Sequence, residues 1–97
     1  MLEKLKDEIE RTSRHIEVAK AVVRHQPIGI IKLSELMDLP FHRIRYSLRI
    51  LEQMGYIRAS PTGAVATPLA EKMLETLDAD INDIIRLLET MRREKKL

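Results

Sequence analysis

The chain has 97 residues, the length of one small domain, which excludes a multi-domain enzyme. It is 44% hydrophobic and 33% charged with a formal net charge of +2, a balance typical of a folded helical protein rather than a disordered one. The absence of cysteine excludes disulfides, thiolate zinc sites and a cysteine nucleophile. The abundance of Arg, Lys and Glu beside few Asn and Gln is typical of thermostable proteins. We expect a cytoplasmic protein with no secretory signal and no membrane span.

The first segment predicts an amphipathic helix over residues 2–25. Its apolar residues follow one another at spacings of three and four, and charged residues lie between them. We expect the helix to end before Pro27, because the residue that precedes a proline is forced out of the helical conformation. The apolar run 28–31 then predicts a single short strand, and residues 33–38 predict at most two turns of helix.

A second helix is predicted from Phe41 to about Met54, with Ile44, Leu48 and Leu51 on its buried face. Gly55 follows its last turn, where a left-handed cap is expected.

Residues 56–59 and 64–67 predict the two strands of a β-hairpin around the turn 60–63, which contains Pro and Gly. Thr67 is expected to be the N-cap of the last helix and Pro68 its first residue. The apolar spacing predicts that this helix continues to about residue 95.

This order of elements resembles the winged helix-turn-helix transcriptional regulators common in archaea and bacteria. The resemblance is carried mainly by residues 30–72. Residues 32–36 look like the opening of that family's first helix-turn-helix element, and Leu39-Pro40 looks like its turn. The most specific stretch is Leu51-Glu52-Gln53-Met54-Gly55-Tyr56-Ile57, where a leucine, an acid, two variable residues, a glycine and an apolar pair lead from the recognition helix into the wing.

The resemblance implies a mainly α fold with a small β-hairpin wing, in a single winged-helix domain over residues 1–97. Its parts would be an N-terminal helix over 1–25, a strand, helix-turn-helix and wing over 28–67, and a C-terminal dimerisation helix over 68–95. One departure concerns the wing tip 60–63, which is short and uncharged where many wings carry basic residues.

The positive charge and the predicted recognition helix coincide. Between Arg24 and Arg58 there are six basic and three acidic residues, a net of +3, and elsewhere acids balance or outnumber bases. If the apolar face of helix 41–54 is buried, its other face presents side chains that bind bases or phosphates in the major groove. With the wing, the predicted DNA-binding residues are His42, Arg43, Arg45, Tyr46, Arg49, Arg58 and Thr62.

Nothing in the sequence predicts an enzyme, a metal or a cofactor. His15 and His25 lie ten residues apart on one helix, so they fall on different sides and cannot chelate one metal. We expect each to be a surface or interface residue. No glycine-rich phosphate loop is present, and neither Ser34 nor Ser47 has a nearby base in a recognised motif.

The two terminal helices predict a homodimer. A compact sphere of this length would be roughly 30 Å across, whereas a helix of about 26 residues would be about 40 Å long. Both terminal helices must therefore extend past the core, and their apolar residues would form the dimer interface: Leu2, Leu5, Ile9, Leu77, Ile81, Ile84, Ile85, Leu88 and Met91. Pairing of the two helices within one chain is the alternative.

The sequence therefore predicts a dimeric transcriptional regulator that binds double-stranded DNA sequence-specifically, at a palindromic site that matches the two-fold symmetry. The alternative is a winged-helix module that binds another protein and does not bind DNA.

Overall fold

A mainly helical fold with one β-hairpin is confirmed. The computed structural model describes residues 1–94, which form five α-helices and one two-stranded antiparallel sheet. In chain order the elements are α1 (Leu2–His25), α2 (Ile30–Met37), α3 (Phe41–Gln53), β1 (Ile57–Ser60), β2 (Gly63–Ala66), α4 (Pro68–Glu75) and α5 (Leu77–Glu94). Residue 95, where the predicted last helix ends, lies outside the described residues.

The hydrophobic core lies where the C-terminal half of α1 meets α2, α3 and the hairpin. Its buried side chains are Val18, Ala19, Val22, Ile28, Leu33, Ile44, Leu51 and Ile57. Residues 1–10 are all exposed, so the first half of α1 extends beyond this core. The described chain measures 58 × 27 × 21 Å, compared with roughly 30 Å for a compact sphere.

The strand predicted over 28–31 is wrong. Only Ile28 of this run pairs with a strand, and its backbone exchanges two hydrogen bonds with Ala64 of β2, at 3.1 and 2.7 Å. α2 begins at Ile30, because Gly29 occupies its N-cap and the Gly29 carbonyl accepts from the Leu33 N–H at 3.1 Å. Ile30 and Leu33 face the core at helical spacing, whereas Ile31 is exposed.

The connection between α2 and α3 is held by α2 itself. Asp38 adopts a left-handed conformation (φ 52°), which Asp tolerates better than most residues, and its N–H bonds back to the Ser34 carbonyl. The Ser34 hydroxyl donates to the Leu39 carbonyl. These bonds fix the position at which α3 starts.

The predicted cap at Gly55 is confirmed. Gly55 has φ 84°, its N–H bonds to the Glu52 carbonyl at 3.0 Å, and the Tyr56 N–H bonds to the Leu51 carbonyl at 2.9 Å. This pair of bonds is a Schellman motif, which ends α3 and turns the chain into β1.

The predicted hairpin is confirmed as well. β1 and β2 pair from Ile57 opposite Ala66 to Ser60 opposite Gly63. A β-carbon on Gly63 would lie 2.5–2.7 Å from backbone atoms of Ile28, and Gly63 also has φ 136°. The hairpin therefore packs against the chain before α2 at a point that only glycine can occupy.

The continuous helix predicted over 68–95 is wrong, because it is interrupted at Thr76. Thr76 has φ −97° and ψ 1°, and its hydroxyl lies 3.3 Å from the Met73 carbonyl and 3.2 Å from Asp80 Oδ2. A threonine side chain that bonds to nearby groups competes with regular helical bonding. Thr67 and Pro68 do hold the predicted N-cap and first positions of α4, but the Thr67 hydroxyl donates to the Gly55 and Tyr56 carbonyls instead of capping.

Candidate nucleic-acid interface

α3 has one buried face and one open face. Ile44, Ser47 and Leu51 are buried, and Leu48 is half-buried. At about 100° per residue, these positions leave His42, Arg45 and Arg49 on the opposite side, and all three are exposed. The structure thus brings together the central part of the predicted DNA-binding set on one helix face.

The two arginines of this face also line a groove of about 400 Å³ between α3 and the hairpin. Arg45, Arg49 and Glu52 line the α3 side, whereas Ala59 and Ser60 of β1 line the other. Glu52 is the feature that sequence analysis missed. The signal in the sequence was its spacing of three from Arg49. Glu52 places one carboxylate acceptor beside the two guanidinium donors of a groove whose remaining lining is mostly apolar.

Arg43 lies apart from these residues. It lines a second cleft, of about 700 Å³, between α1 and the end of α2. Arg14, Glu17 and Lys20 of α1 line the same cleft, and the Lys20 Nζ is 3.2 Å from Glu17 Oε1. The flank position predicted for Arg43 therefore separates it from the groove that Arg45 and Arg49 share.

The two hairpin residues that were predicted to bind DNA, Arg58 and Thr62, do not line this groove. Ile57 and Ala59 face the groove, and because successive strand side chains alternate, Arg58 projects from the opposite face of the hairpin. Thr62 is exposed at the tip, where its N–H lies 3.3 Å from the Ser60 hydroxyl. Ser60 in turn donates to the Gly63 carbonyl at 2.6 Å, so the uncharged tip is ordered by its own hydrogen bonds.

An unpredicted contact joins α3 to α1. The Nδ1 atom of His15 lies 2.7 Å from the hydroxyl oxygen of Ser47, which is fully buried. The His15 ring also packs on Tyr46, with ring centroids 5.6 Å apart at an angle of 51°. Tyr46 is 39% exposed, so it belongs partly to this contact and partly to the open face.

His15, which was expected to be a surface or interface residue, is therefore half-buried at the contact between α1 and α3. Burial, with the nearby positive charges of Arg14 and Arg11, lowers the pKa of His15 below its usual value. Although Ser47 and His15 resemble part of a nucleophilic pair, Ser47 has no exposed surface from which to reach a substrate.

The apolar residues predicted for dimerisation are mostly exposed. None of the residues of α5 is buried, and Ile81, Ile84, Ile85, Leu88 and Met91 are between 36% and 50% exposed. Leu77 is half-buried, while Leu2, Leu5 and Ile9 of α1 are exposed. A row of large apolar side chains in contact with water is typical of an unoccupied interface.

Comparison with models of protein families gives no match, and comparison with curated proteins gives none either. No helix within residues 1–94 combines the length and the apolar character needed to cross a bilayer. The same residues contain no group of three His, Asp or Glu side chains placed to hold a metal ion.

Proposed function

We propose that the chain is a winged helix-turn-helix transcriptional regulator that binds double-stranded DNA sequence-specifically as a homodimer. In this proposal α2 and α3 form the helix-turn-helix, the hairpin is the wing, and α3 is the recognition helix that enters the major groove. The observation that carries it is the open face of α3, where Arg45 and Arg49 are exposed on the side opposite the buried residues of this helix.

The chemistry of that face suits base recognition. Each guanidinium can donate two hydrogen bonds to O6 and N7 of guanine, and the carboxylate of Glu52 can accept from the amino group of cytosine. The major groove is about 12 Å wide and admits one α-helix with its side chains. A recognition helix that brings two guanidinium donors and one carboxylate acceptor into the major groove can therefore distinguish DNA sequences. Attraction to phosphate alone could not.

The hairpin would contribute less. Its tip is uncharged, and Arg58 lies on the hairpin face that does not line the groove. We therefore assign Arg58 a contact with phosphate at most, and Thr62 at most a hydrogen bond from its hydroxyl. Arg43 would reach the backbone from the flank of α3.

The apolar face of α5, which the core of a single chain leaves exposed, supports the homodimer in this proposal. Two copies related by a two-fold axis would present two α3 helices, and the bound DNA would carry two related half-sites.

The experiment compares two arginine variants on two kinds of DNA. A duplex is first selected from a random pool, and binding is then measured by fluorescence anisotropy at two salt concentrations. Arg45→Ala should weaken binding to the selected duplex by about 1–3 kcal/mol and binding to random duplex much less, because a base contact is lost. Arg58→Ala should weaken binding to the selected and the random duplex equally. It should also reduce the slope of the log binding constant against log salt concentration by about one.

Lys4→Ala is the matched control, since it removes one exposed positive charge near the start of α1. If Arg45→Ala changes affinity for the selected duplex no more than Lys4→Ala does, α3 is not the recognition helix.

The uncharged hairpin tip favours a second candidate, a winged-helix module that binds another protein. Negligible binding to any duplex at low salt would support that function instead.

A further inference from the structure

We propose, resting on the homodimer proposed above, that the two α5 helices pair antiparallel, with the two-fold axis crossing them between Ile85 and Leu87. The occupant of the exposed α5 face is thus the α5 helix of a second copy, in one direction and one register. The argument rests on the order of charged and apolar residues along this helix.

The apolar residues of α5 define a heptad seam. Ile81 and Leu88 take one core position, and Leu77, Ile84 and Met91 take the other. On this assignment Asp78, Ile85 and Arg92 flank the seam on one side, and Asp80, Leu87 and Glu94 flank it on the other. The flanking positions are charged near both ends of the helix and apolar only in the middle.

Direction decides what these flanking residues meet. In a parallel pair, Ile85 would lie against Asp80 of the other copy and Leu87 against Arg92, so two large apolar side chains would face charges. In an antiparallel pair that keeps the seam in register, each flanking residue meets a residue at the same heptad position of the other copy. Ile85 then faces Ile85 and Leu87 faces Leu87, which extends the apolar contact on both sides of the seam.

The ends of the helix favour the same direction. Antiparallel pairing places Asp78 against Arg92 of the other copy, and neither side chain has an ion-pair partner within the described residues. Asp83 and Arg86, by contrast, already pair within one helix. Antiparallel pairing also sets Asp80 against Glu94 of the other copy, which is unfavourable. This pair contributes little, because both side chains are exposed and Asp80 lies 3.2 Å from the Thr76 hydroxyl.

These contributions differ in size. Exposed charge pairs contribute little in either sense, whereas covering Ile85 and Leu87, which are 45% and 67% exposed, removes a large apolar area from water. The direction also sets the shape of the dimer, because it places the two copies of Leu77 about 27 Å apart along the pair instead of side by side.

Introduced thiols test the direction directly, because the chain contains no cysteine. Asp78→Cys and Arg92→Cys are prepared separately, and the oligomeric state of each is checked by light scattering. Each variant alone, and an equimolar mixture allowed to exchange subunits, is then treated with a bismaleimide shorter than the 14-residue separation of about 21 Å. We expect crosslinked dimer in the mixture and only background in each variant alone.

Other results overturn the proposal in distinguishable ways. Crosslinking of each variant alone, with less crosslinked dimer in the mixture, means a parallel pair. Dimers that crosslink in neither arrangement mean that α5 is covered by another segment, such as α1 of the second copy. Monomers by light scattering for the unaltered chain mean that the proposed homodimer itself fails.

A charge exchange gives a second test. Asp78→Arg should raise the dimer Kd by about two- to thirtyfold, since it places two like charges together at each end of the pair. Adding Arg92→Asp should restore the original Kd. An additive loss in the double variant contradicts the antiparallel register.

Discussion

The contact between His15 and Ser47 links α1 to α3 and should contribute measurably to the free energy of unfolding. Ser47 is fully buried, and its hydroxyl oxygen lies 2.7 Å from Nδ1 of His15. Ser47→Ala removes this bond and leaves a half-buried ring nitrogen without its partner, at a cost of about 1–2 kcal/mol. For a domain of this size, that cost corresponds to a decrease in Tm of roughly 4–15 °C.

A double-mutant cycle isolates the contact. His15→Phe keeps an aromatic ring against Tyr46 and removes the nitrogen, so the cycle with Ser47→Ala reports the hydrogen bond more than the ring packing. Urea unfolding of the four proteins, all at one protein concentration because the proposed dimer would make stability depend on concentration, should give a coupling of about 0.5–1.5 kcal/mol. If the two losses add to within about 0.3 kcal/mol, this bond does not stabilise the fold.

His15 should also make the free energy of unfolding depend on pH. Because the pKa of His15 is lowered in the folded chain, the unfolded chain binds more protons once the pH falls below about 6.5. The contribution of neutral His15 is complete above that pH and is lost as the pH falls through the lowered pKa. Between about pH 7.5 and 5.5, the free energy of unfolding should fall less in His15→Phe than in the unaltered chain. The control His25→Gln, at an exposed position, should fall as much as the unaltered chain. Equal slopes in all three proteins would contradict this assignment.

Three further changes test other parts of the structure. Gly63→Ala should destabilise the fold by more than about 1 kcal/mol, because the new β-carbon would collide with the Ile28 backbone, and thermal unfolding would report it. Glu52→Gln should strengthen binding to random duplex, because it removes the negative charge from the groove of Arg45 and Arg49; unchanged anisotropy would place DNA elsewhere. Ile84→Asp should convert the proposed dimer to a monomer, because it places a carboxylate in the apolar seam, and light scattering that still shows a dimer would exclude this face as the interface.

The elements with a strong repeat or a clear stop signal could be predicted from sequence. α1 and α3 have sustained helical spacing, and Gly55 and the turn before Gly63 mark where the chain must reverse. The strand predicted over residues 28–31 was wrong because a run of four apolar residues is compatible with a strand or with the start of a helix. The interruption at Thr76 was missed because apolar spacing continues from Met73 to Leu77 across it, so the sequence pattern does not reveal the break.

The site was predictable only as far as single elements determine it. The buried positions Ile44 and Leu51 fix which side of α3 is open, so the exposure of Arg45 and Arg49 followed from the helix alone. The separation of Arg43 depends on how α1 packs, which no local pattern reveals. His15 and Ser47 lie 32 residues apart and meet only because two helices pack together.

The attachment of the hairpin has a consequence for engineering. Its base is held by the segment before α2, through the Ile28–Ala64 bonds and a bond of 2.8 Å from the Ala66 N–H to Gln26 Oε1. Its tip at Pro61 and Thr62 is exposed. Orientation and tip composition are therefore independent variables in this fold. Lysines can be introduced at the tip, or the loop lengthened there, without altering the residues that hold the base of the hairpin. One residue inserted between Gln26 and Ile28 would instead change the bonds that orient the whole hairpin.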